Sequence, residues 1–511
     1  MHLSEGVLHT PVLLGGAAVA LVCVMIGLKR LNSQQLPLTA LFAAAFFVAG
    51  TIHVPVSIGS VHLILNGMAG LFLGWAVFPA FLIALVLQVL LFSFGGFAVL
   101  GVNLCVMALP ALLVHWLFAK RLENAEGSAI REILKLASNP EVISFAGGLP
   151  APELFPVEEM KKVAEVVLEE QGQAAMQYSA TDGYLPLREA IAERMNRKLY
   201  TNVEAKDILV TNGSQQCLDF MGRVFLDEGD KIIVESPSYL GALNAFKAYG
   251  PQFIEIPTDG DGMIMSELEK ALEENPDVKF IYVIPDFQNP SGRTWPVERR
   301  KEFMKIINKY EIPVAEDNPY GELRFEGEIF PSLKSFDEKG LVLFFGTFSK
   351  ILCPGYRLGW VAAAPEIIEK FNISKQAADL QASTVSQMEI AKFIEMYDLD
   401  AHVEKIKEVY GHRRTVMMDA MDEYFPKEVT FTRTDGGLFT WVTLPEGIDA
   451  AKLMRDVVLP NNVAYVPGEP FYPNGGNANH FRMNYSCMPD ERIVEGCKRL
   501  GKALYEAIAA L

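Results

Sequence analysis

The sequence predicts an all-α membrane segment of about five helices, followed by an α/β domain built on a mainly parallel sheet and joined by a smaller α+β domain. Charge distribution predicts the first part. Residues 1–119 hold one acid (Glu5) and two bases (Lys29, Arg30), and 31–119 hold no Asp, Glu, Lys or Arg at all. A water-facing domain would not tolerate so long a run without charge. The other 61 acids and 43 bases lie in 120–511, so the two parts carry +1 and −18. That acidic balance excludes an electrostatic nucleic-acid footprint. Alternation of short apolar strands with amphipathic helices after Arg121 predicts the second part.

In the first part, apolar runs at 11–28, 37–55, 61–78, 80–98 and 102–119 each approach the ~20 residues that cross a hydrocarbon layer as helix. Gly95, Gly96, Gly101 and Asn103 interrupt the run from Phe94 to Leu104, so a re-entrant piece is an alternative there. Five spans place Lys29-Arg30 and Lys120-Arg121 on one face, which the positive-inside tendency makes cytoplasmic. The N-terminus is then outside and the soluble part inside. Six scattered cysteines without a CxxC pair indicate neither a disulfide framework nor a thiolate metal site.

Five of the eight histidines fall in residues 1–119. His9 and His115 read as interfacial polar residues. His2 differs, because its imidazole, the intervening backbone nitrogen and the α-amine of Met1 offer three nitrogens in one plane. A fourth nitrogen would complete a square-planar site suited to Ni(II) or Cu(II). The MHLSEG start, 59–67 GSVHLILNG and 95–110 GGFAVLGVNLCVMALP resemble the substrate-capturing membrane component of cobalt and nickel energy-coupling-factor transporters. The resemblance covers about residues 1–118, the first part of such a component. It implies Met1, His2 and His62 as ligands of Ni(II) or Co(II), and transporter subunits as partners.

In the second part, strands are expected at 207–211, 231–235, 253–257, 278–284, 312–316, 342–346 and 358–363. Polar motifs sit at their ends, where open α/β sheets bind ligands. Residues 212–216 NGSQQ follow a strand and open a helix, so backbone N–H groups and Ser214 suit a phosphate. At 286–293 DFQNPSGR, Asn289 before a proline also reads as a plain turn. At 317–320 DNPY, an acid beside an apolar strand needs a partner if buried. The 346–350 stretch GTFSK ends in Lys350, with Arg357 seven residues on. Such a lysine is ordinarily an exposed base, but inside a strand-edge cleft its pKa would fall toward that of a Schiff-base amine. Lysine for an imine, aspartate for a pyridinium nitrogen, and Ser, Thr and Arg for a phosphate together match pyridoxal-phosphate chemistry.

These motifs, with 145–155 FAGGLPAPELF, 178–188 YSATDGYLPLR and 481–486 FRMNYS, resemble fold-type I pyridoxal-phosphate aminotransferases. The nearest subgroup contains 2-aminoadipate aminotransferases and the aminotransferase-like domains of certain regulators. The resemblance covers about 127–511 and implies a seven-stranded sheet. It implies a linker and small-domain start at 120–165, a large cofactor-binding domain at 166–394 and a small domain at 395–511. Lys350 would form the imine with pyridoxal 5'-phosphate and shuttle the α-proton. Asp317 would keep the ring nitrogen protonated, Asn289 and Tyr320 would bond the ring oxygen, and Tyr239 would stack on the ring. Ser214, Gln215, Ser349 and Arg357 would hold the phosphate, and Tyr178 would reach the phosphate of a neighbouring subunit, implying a homodimer. Arg482 and Gly148 would meet the substrate α-carboxylate, since a guanidinium matches a carboxylate with two parallel bonds. Arg131 would meet a distal carboxylate, while Leu149 and Tyr184 would equally admit aromatic or branched side chains. The expected activity is amino-group exchange between such an amino acid and 2-oxoglutarate. A membrane metal-uptake component with a non-catalytic sensing domain is the alternative, and a regulator would need a helix-turn-helix in place of residues 1–119.

Overall fold

The computed structural model describes residues 3, 6, 8–31, 35–51, 53–56, 59–62, 65–92, 95–115 and 141–510, with backbone alone over 51–62. The chain divides into two compact units, Met1–Asn124 and Ala125–Leu511.

The described residues of the first unit form five α-helices: α1 (Thr10–Arg30), α2 (Leu36–Thr51), α3 (Asn66–Leu73), α4 (Val77–Phe92) and α5 (Leu100–His115). A hairpin of β1 (His53–Val56) and β2 (Gly59–His62) joins α2 to α3, with His53 opposite His62 in register. The burial pattern suits lipid. Leu14, Leu21, Leu41, Leu90, Leu91 and Leu113 face outward, while Gln88 and Asn103 are buried. Gln88 Nε2 donates to the Phe47 carbonyl at 3.2 Å, and Asn103 exchanges two hydrogen bonds with the Leu3 backbone, at 2.9 and 3.2 Å. The start of the chain is thereby fastened to α5.

The expected third span, 61–78, is not one helix. It begins in β2, and α3 spans only eight residues before Gly74, at φ +48°, ends it. Eight residues rise about 12 Å, against the ~30 Å of hydrocarbon. Through the 3₁₀ turn Gly74–Ala76, α3 leads into α4, and Asn66–Phe92 together has the length and apolar composition to cross. The agreement between the two basic pairs therefore depends on α3 and α4 being separate crossings.

In the described residues of the second unit, β3 (Ile143–Ser144) comes first and the large sheet follows. Its strands are β4 (Ile208–Thr211), β5 (Lys231–Ser236), β6 (Gln252–Asp259), β7 (Gly262–Met263), β8 (Val278–Val283), β9 (Val314–Asp317), β10 (Val342–Thr347) and β11 (Gly359–Ala362). Their order is β4-β11-β10-β9-β8-β5-β6-β7. All seven expected strands are present, and β7 is a two-residue antiparallel edge beyond them. The five central strands β10, β9, β8, β5 and β6 run parallel, and β11 is antiparallel to both neighbours. β4, β9, β10 and β11 are buried throughout and β5 and β8 over most of their length, as expected where helices cover both faces, while β6 is only half-buried. A second sheet combines β12 (Thr430–Phe431), β13 (Phe439–Thr443), β15 (Val466–Pro467) and β16 (His480–Asn484), while β14 (Val463–Ala464) pairs with β3.

Candidate active site

Parallel strands bring their carboxyl ends to one edge. Phe345 of β10 pairs with Asp317, the last residue of β9, so Asp317 and the Thr347–Lys350 turn emerge side by side. Gly359 of β11 pairs with Thr211, which places the 212–216 turn at the same edge. Arg482 comes from the second sheet, at the centre of β16 between Trp441 and Val466.

These elements enclose a cavity of about 410 Å³ lined by Gly148, Ser214, Gln215, Tyr239, Asn289, Asp317, Tyr320, Ser349, Lys350, Arg357 and Arg482, with Leu149 and Phe439 among the apolar walls. Its volume lies within the range of small-molecule sites. Twelve residues singled out in the sequence, Leu149 included, thus meet in one place, and Tyr184 is not among them. Tyr178 does not join them and is 78% exposed. Arg131, Met1 and His2 lie outside the described residues, and of His62 only the backbone is described. Among the described residues, no three His, Cys, Asp or Glu cluster as metal ligands.

Lys350 Nζ donates to the Gly148 carbonyl at 2.8 Å. Burial, then Arg482 and Arg357, push its pKa down to about 8. Asp317 is buried, and its Oδ2 accepts from the Tyr282 hydroxyl at 2.8 Å. Its Oδ1 has no partner among the described residues. Burial pushes its pKa up to about 7, against the opposing effect of the Tyr282 bond. Arg482 is buried, donating from one terminal nitrogen to Asn289 Oδ1 at 2.8 Å and from the other to the Ala146 carbonyl at 2.9 Å. Its Nε has no partner among the described residues, and the guanidinium lies 4.2 Å from the Phe439 ring centroid. Burial pulls its pKa down to about 10, partly offset by Tyr320 and Tyr239. Burial also raises the Tyr320 and Tyr239 phenols.

The 212–216 turn is shaped for close approach. Gly213 sits at φ +75° ahead of the helix Ser214–Phe225, a backbone region where only glycine is unstrained. A Cβ there would meet the Arg357 guanidinium at 2.6 Å, and one on Gly359 would meet the Ser214 nitrogen at 2.7 Å. Ser349 accepts a hydrogen bond from the Thr347 hydroxyl at 3.0 Å.

Pyridoxal phosphate can be tested against this set. A buried carboxylate oxygen without a partner suits a protonated ring nitrogen, a lysine of lowered pKa suits imine formation, and a helix-opening glycine turn beside Ser349 and Arg357 suits a phosphate. The residues present fit the group. Sequence reasoning missed Tyr282, whose only trace was a phenol inside the apolar strand 278–284. It also missed Phe439, which no motif marked.

The fold and this edge constellation define a fold-type I aminotransferase architecture. The chain belongs to the class I and II aminotransferases, whose family profile matches residues 141–500. An aromatic-amino-acid aminotransferase of Thermococcus litoralis is 46% identical over 401 residues, 78% of this chain and 96% of that protein. The solved structure of an α-aminoadipate aminotransferase from Thermus thermophilus aligns with a TM-score of 0.72 at 40% identity, covering 77% of this chain and 98% of that one.

A second profile, the cobalt uptake substrate-specific transmembrane region, matches residues 2–149. A Haemophilus influenzae relative whose name assigns it to metal transport is 69% identical over 147 residues, 29% of this chain and 70% of that protein. This match runs past residue 118, where the resemblance read from the sequence ends, and shares 141–149 with the aminotransferase profile. The protein is therefore an aminotransferase fused to a metal-uptake membrane region. The sensing alternative loses ground to relatives named as enzymes. Its family implies pyridoxal phosphate as cofactor, and its apolar helices imply association with a membrane.

Proposed function

We propose that the cavity transaminates 2-aminoadipate, glutamate, aromatic or branched-chain amino acids against a 2-oxo acid such as 2-oxoglutarate. One observation carries this reading: an amine of lowered pKa, a buried acid with an open oxygen and a buried guanidinium converge in a single cavity. Bound pyridoxal phosphate supplies an aldehyde carbon and an electron-withdrawing ring. Lys350, whose lowered pKa of about 8 leaves a usable fraction of neutral amine near pH 7, would serve as the nucleophile toward that carbon and as the base that moves the substrate α-proton. Its hydrogen bond to Gly148 aims the amine at the cavity. Asp317 keeps its negative charge against the ring nitrogen while Tyr282 fixes its other oxygen. Asn289 and Tyr320 would bond the ring oxygen, and Tyr239 would stack on the ring. Ser214, Gln215, Ser349 and Arg357 hold the phosphate. Arg482 holds the α-carboxylate, with Gly148 against the same group, and Arg131 takes the distal carboxylate of a dicarboxylic donor. The exposure of Tyr178 supports a homodimer in which it reaches the phosphate of the second subunit.

For the first unit we propose a multi-pass segment, working beside transporter subunits, that keeps the aminotransferase in the cytoplasm, with the basic pair Lys120-Arg121 marking that face. Met1, His2 and His62 hold Ni(II) or Co(II), a reading supported by the fastening of Leu3 to Asn103. Metal retention by the purified protein should fall in both His2→Ala and His62→Ala. Equal retention by wild type and both variants removes the metal reading.

The enzymatic reading is tested by the absorbance of the full chain in mild detergent as glutamate, 2-aminoadipate, leucine or phenylalanine is added singly. A bound-cofactor band near the visible edge should convert to the amine form with at least one donor, ranking the substrates. A band that no amino acid shifts would establish sensing instead.

A further inference from the structure

Behind the Asn212–Gln216 turn lies a closed ring of hydrogen bonds. Lys375, on the helix Pro365–Ala378, is buried. Its Nζ donates to Gln216 Oε1 at 2.9 Å and to the two carboxylate oxygens of Asp379 at 3.0 and 3.1 Å. Asp379 Oδ2 accepts in turn from Gln216 Nε2 at 2.7 Å and from the Asn212 side chain at 2.5 Å. Gln216 Oε1 also accepts from the Asn212 backbone N–H at 3.0 Å. Two residues of the turn and two from the end of a neighbouring helix thus share every bond in the ring.

The opposite side of the turn has no slack either, since Gly359 and Arg357 press against Ser214 and Gly213. Held from both sides, the turn cannot shift without carrying the Ser214 hydroxyl with it. Burying the Lys375 ammonium beside a carboxylate that is 24% exposed solely to pack a helix is a poor exchange, because an apolar pair of similar volume serves packing as well or better. A buried pair gains a reason when it fixes an orientation that apolar contacts would leave loose.

We propose that the Lys375–Asp379 pair is a positioning device that fixes the Asn212–Gln216 turn in its phosphate-accepting shape and so sets the preference of this protein for a phosphorylated cofactor. The proposal rests on the reading of Ser214 and Gln215 as phosphate ligands. Neither Lys375 nor Asp379 lines the cavity, so the pair acts only through the turn.

The test compares dissociation constants of the cofactor-free full chain for pyridoxal phosphate and for pyridoxal, which lacks the phosphate. The quantity read is their ratio in wild type, Ser214→Ala, Asp379→Asn and the double variant Lys375→Met with Asp379→Leu. The double variant removes both charges together, so no unpaired charge is left buried. Ser214→Ala and the double variant should each lower the preference for the phosphorylated form by about tenfold, the effect of one misplaced hydrogen bond. Asp379→Asn, which keeps the side-chain shape, should lower it less. An unchanged ratio in the double variant beside a lowered one in Ser214→Ala overturns the proposal and leaves the phosphate reading standing. An unchanged ratio in Ser214→Ala overturns both. Equal weakening of both ligands by the Lys375 and Asp379 changes makes the pair a mere scaffold and also overturns the proposal.

Discussion

Helix α4 and the C-terminal helix Asp490–Ala509 obey opposite burial rules. In α4, Gln88 is buried while Leu87, Leu90 and Leu91 face outward; in the C-terminal helix, Ile493, Cys497, Leu500 and Leu504 are buried while Lys498 and Lys502 face outward. The difference teaches that burial follows the surrounding solvent. In hydrocarbon the polar group needs shelter, and in water the apolar one does. It also separates two uses of buried polarity. Gln88 Nε2 ties its helix to the Phe47 carbonyl, with its Oε1 unpartnered among the described residues, whereas Asp317 Oδ1 and Arg482 Nε are unpartnered on residues that line a cavity a ligand can enter.

The largest expected effect falls on the second use. Lys350→Ala should abolish transamination and the visible cofactor band while the protein stays folded; an unaltered spectrum would sink the assignment. Next comes Asp317→Asn in the cofactor-free protein. Burial raises the folded pKa of Asp317 to about 7 from 3.8. Between these values the folded state holds a proton that the unfolded chain has released, so stability falls as pH rises and levels off above 7. The Asn variant lacks this slope. It should exceed wild type by a few kcal/mol at pH 8, with the gap closing toward pH 4, and it should be the slower enzyme. Parallel melting curves from pH 5 to 8 would contradict the burial argument.

Leu91→Asp tests the lipid-facing rule. On the outer face of α4, one residue from its end, it should reduce membrane insertion by less than the ~3 kcal/mol that a carboxylate costs at a helix centre, read as the inserted fraction, whereas Lys498→Leu on the C-terminal helix should leave solubility and activity nearly unchanged. Normal insertion of the Asp variant would mean that this face is not against lipid. The smallest effect belongs to Gln88→Leu, which removes one interhelical bond and should cost about 0.6 to 1 kcal/mol of stability in detergent without altering transamination.

Much of this was legible in the sequence because it is local. Seven strands announced themselves as apolar runs with polar ends, and motifs at those ends supplied nine cavity residues, with Gly148 and Arg482 coming from motifs elsewhere. The third membrane span was misread because hydropathy is blind to conformation. Val61, Leu63 and Ile64 satisfy a helix window, yet Gly59–His62 pairs as a hairpin and Gly74 turns the chain through positive φ. Partners far apart in sequence were also hidden. Nothing near Asp317 names Tyr282, 35 positions away, and nothing near Asn212 names Asp379, 167 positions away.

The buried guanidinium of Arg482 has a consequence for the laboratory as well as for catalysis. Clasped by Asn289 and Ala146 and backed by Phe439, it is a standing receptor for any small carboxylate, with or without an amino group. Formate or acetate in a purification buffer should therefore raise the melting temperature of the wild type, leave that of Arg482→Leu unmoved, and compete with amino acids for entry. The anion chosen to prepare the protein then becomes an unnoticed inhibitor in its assay.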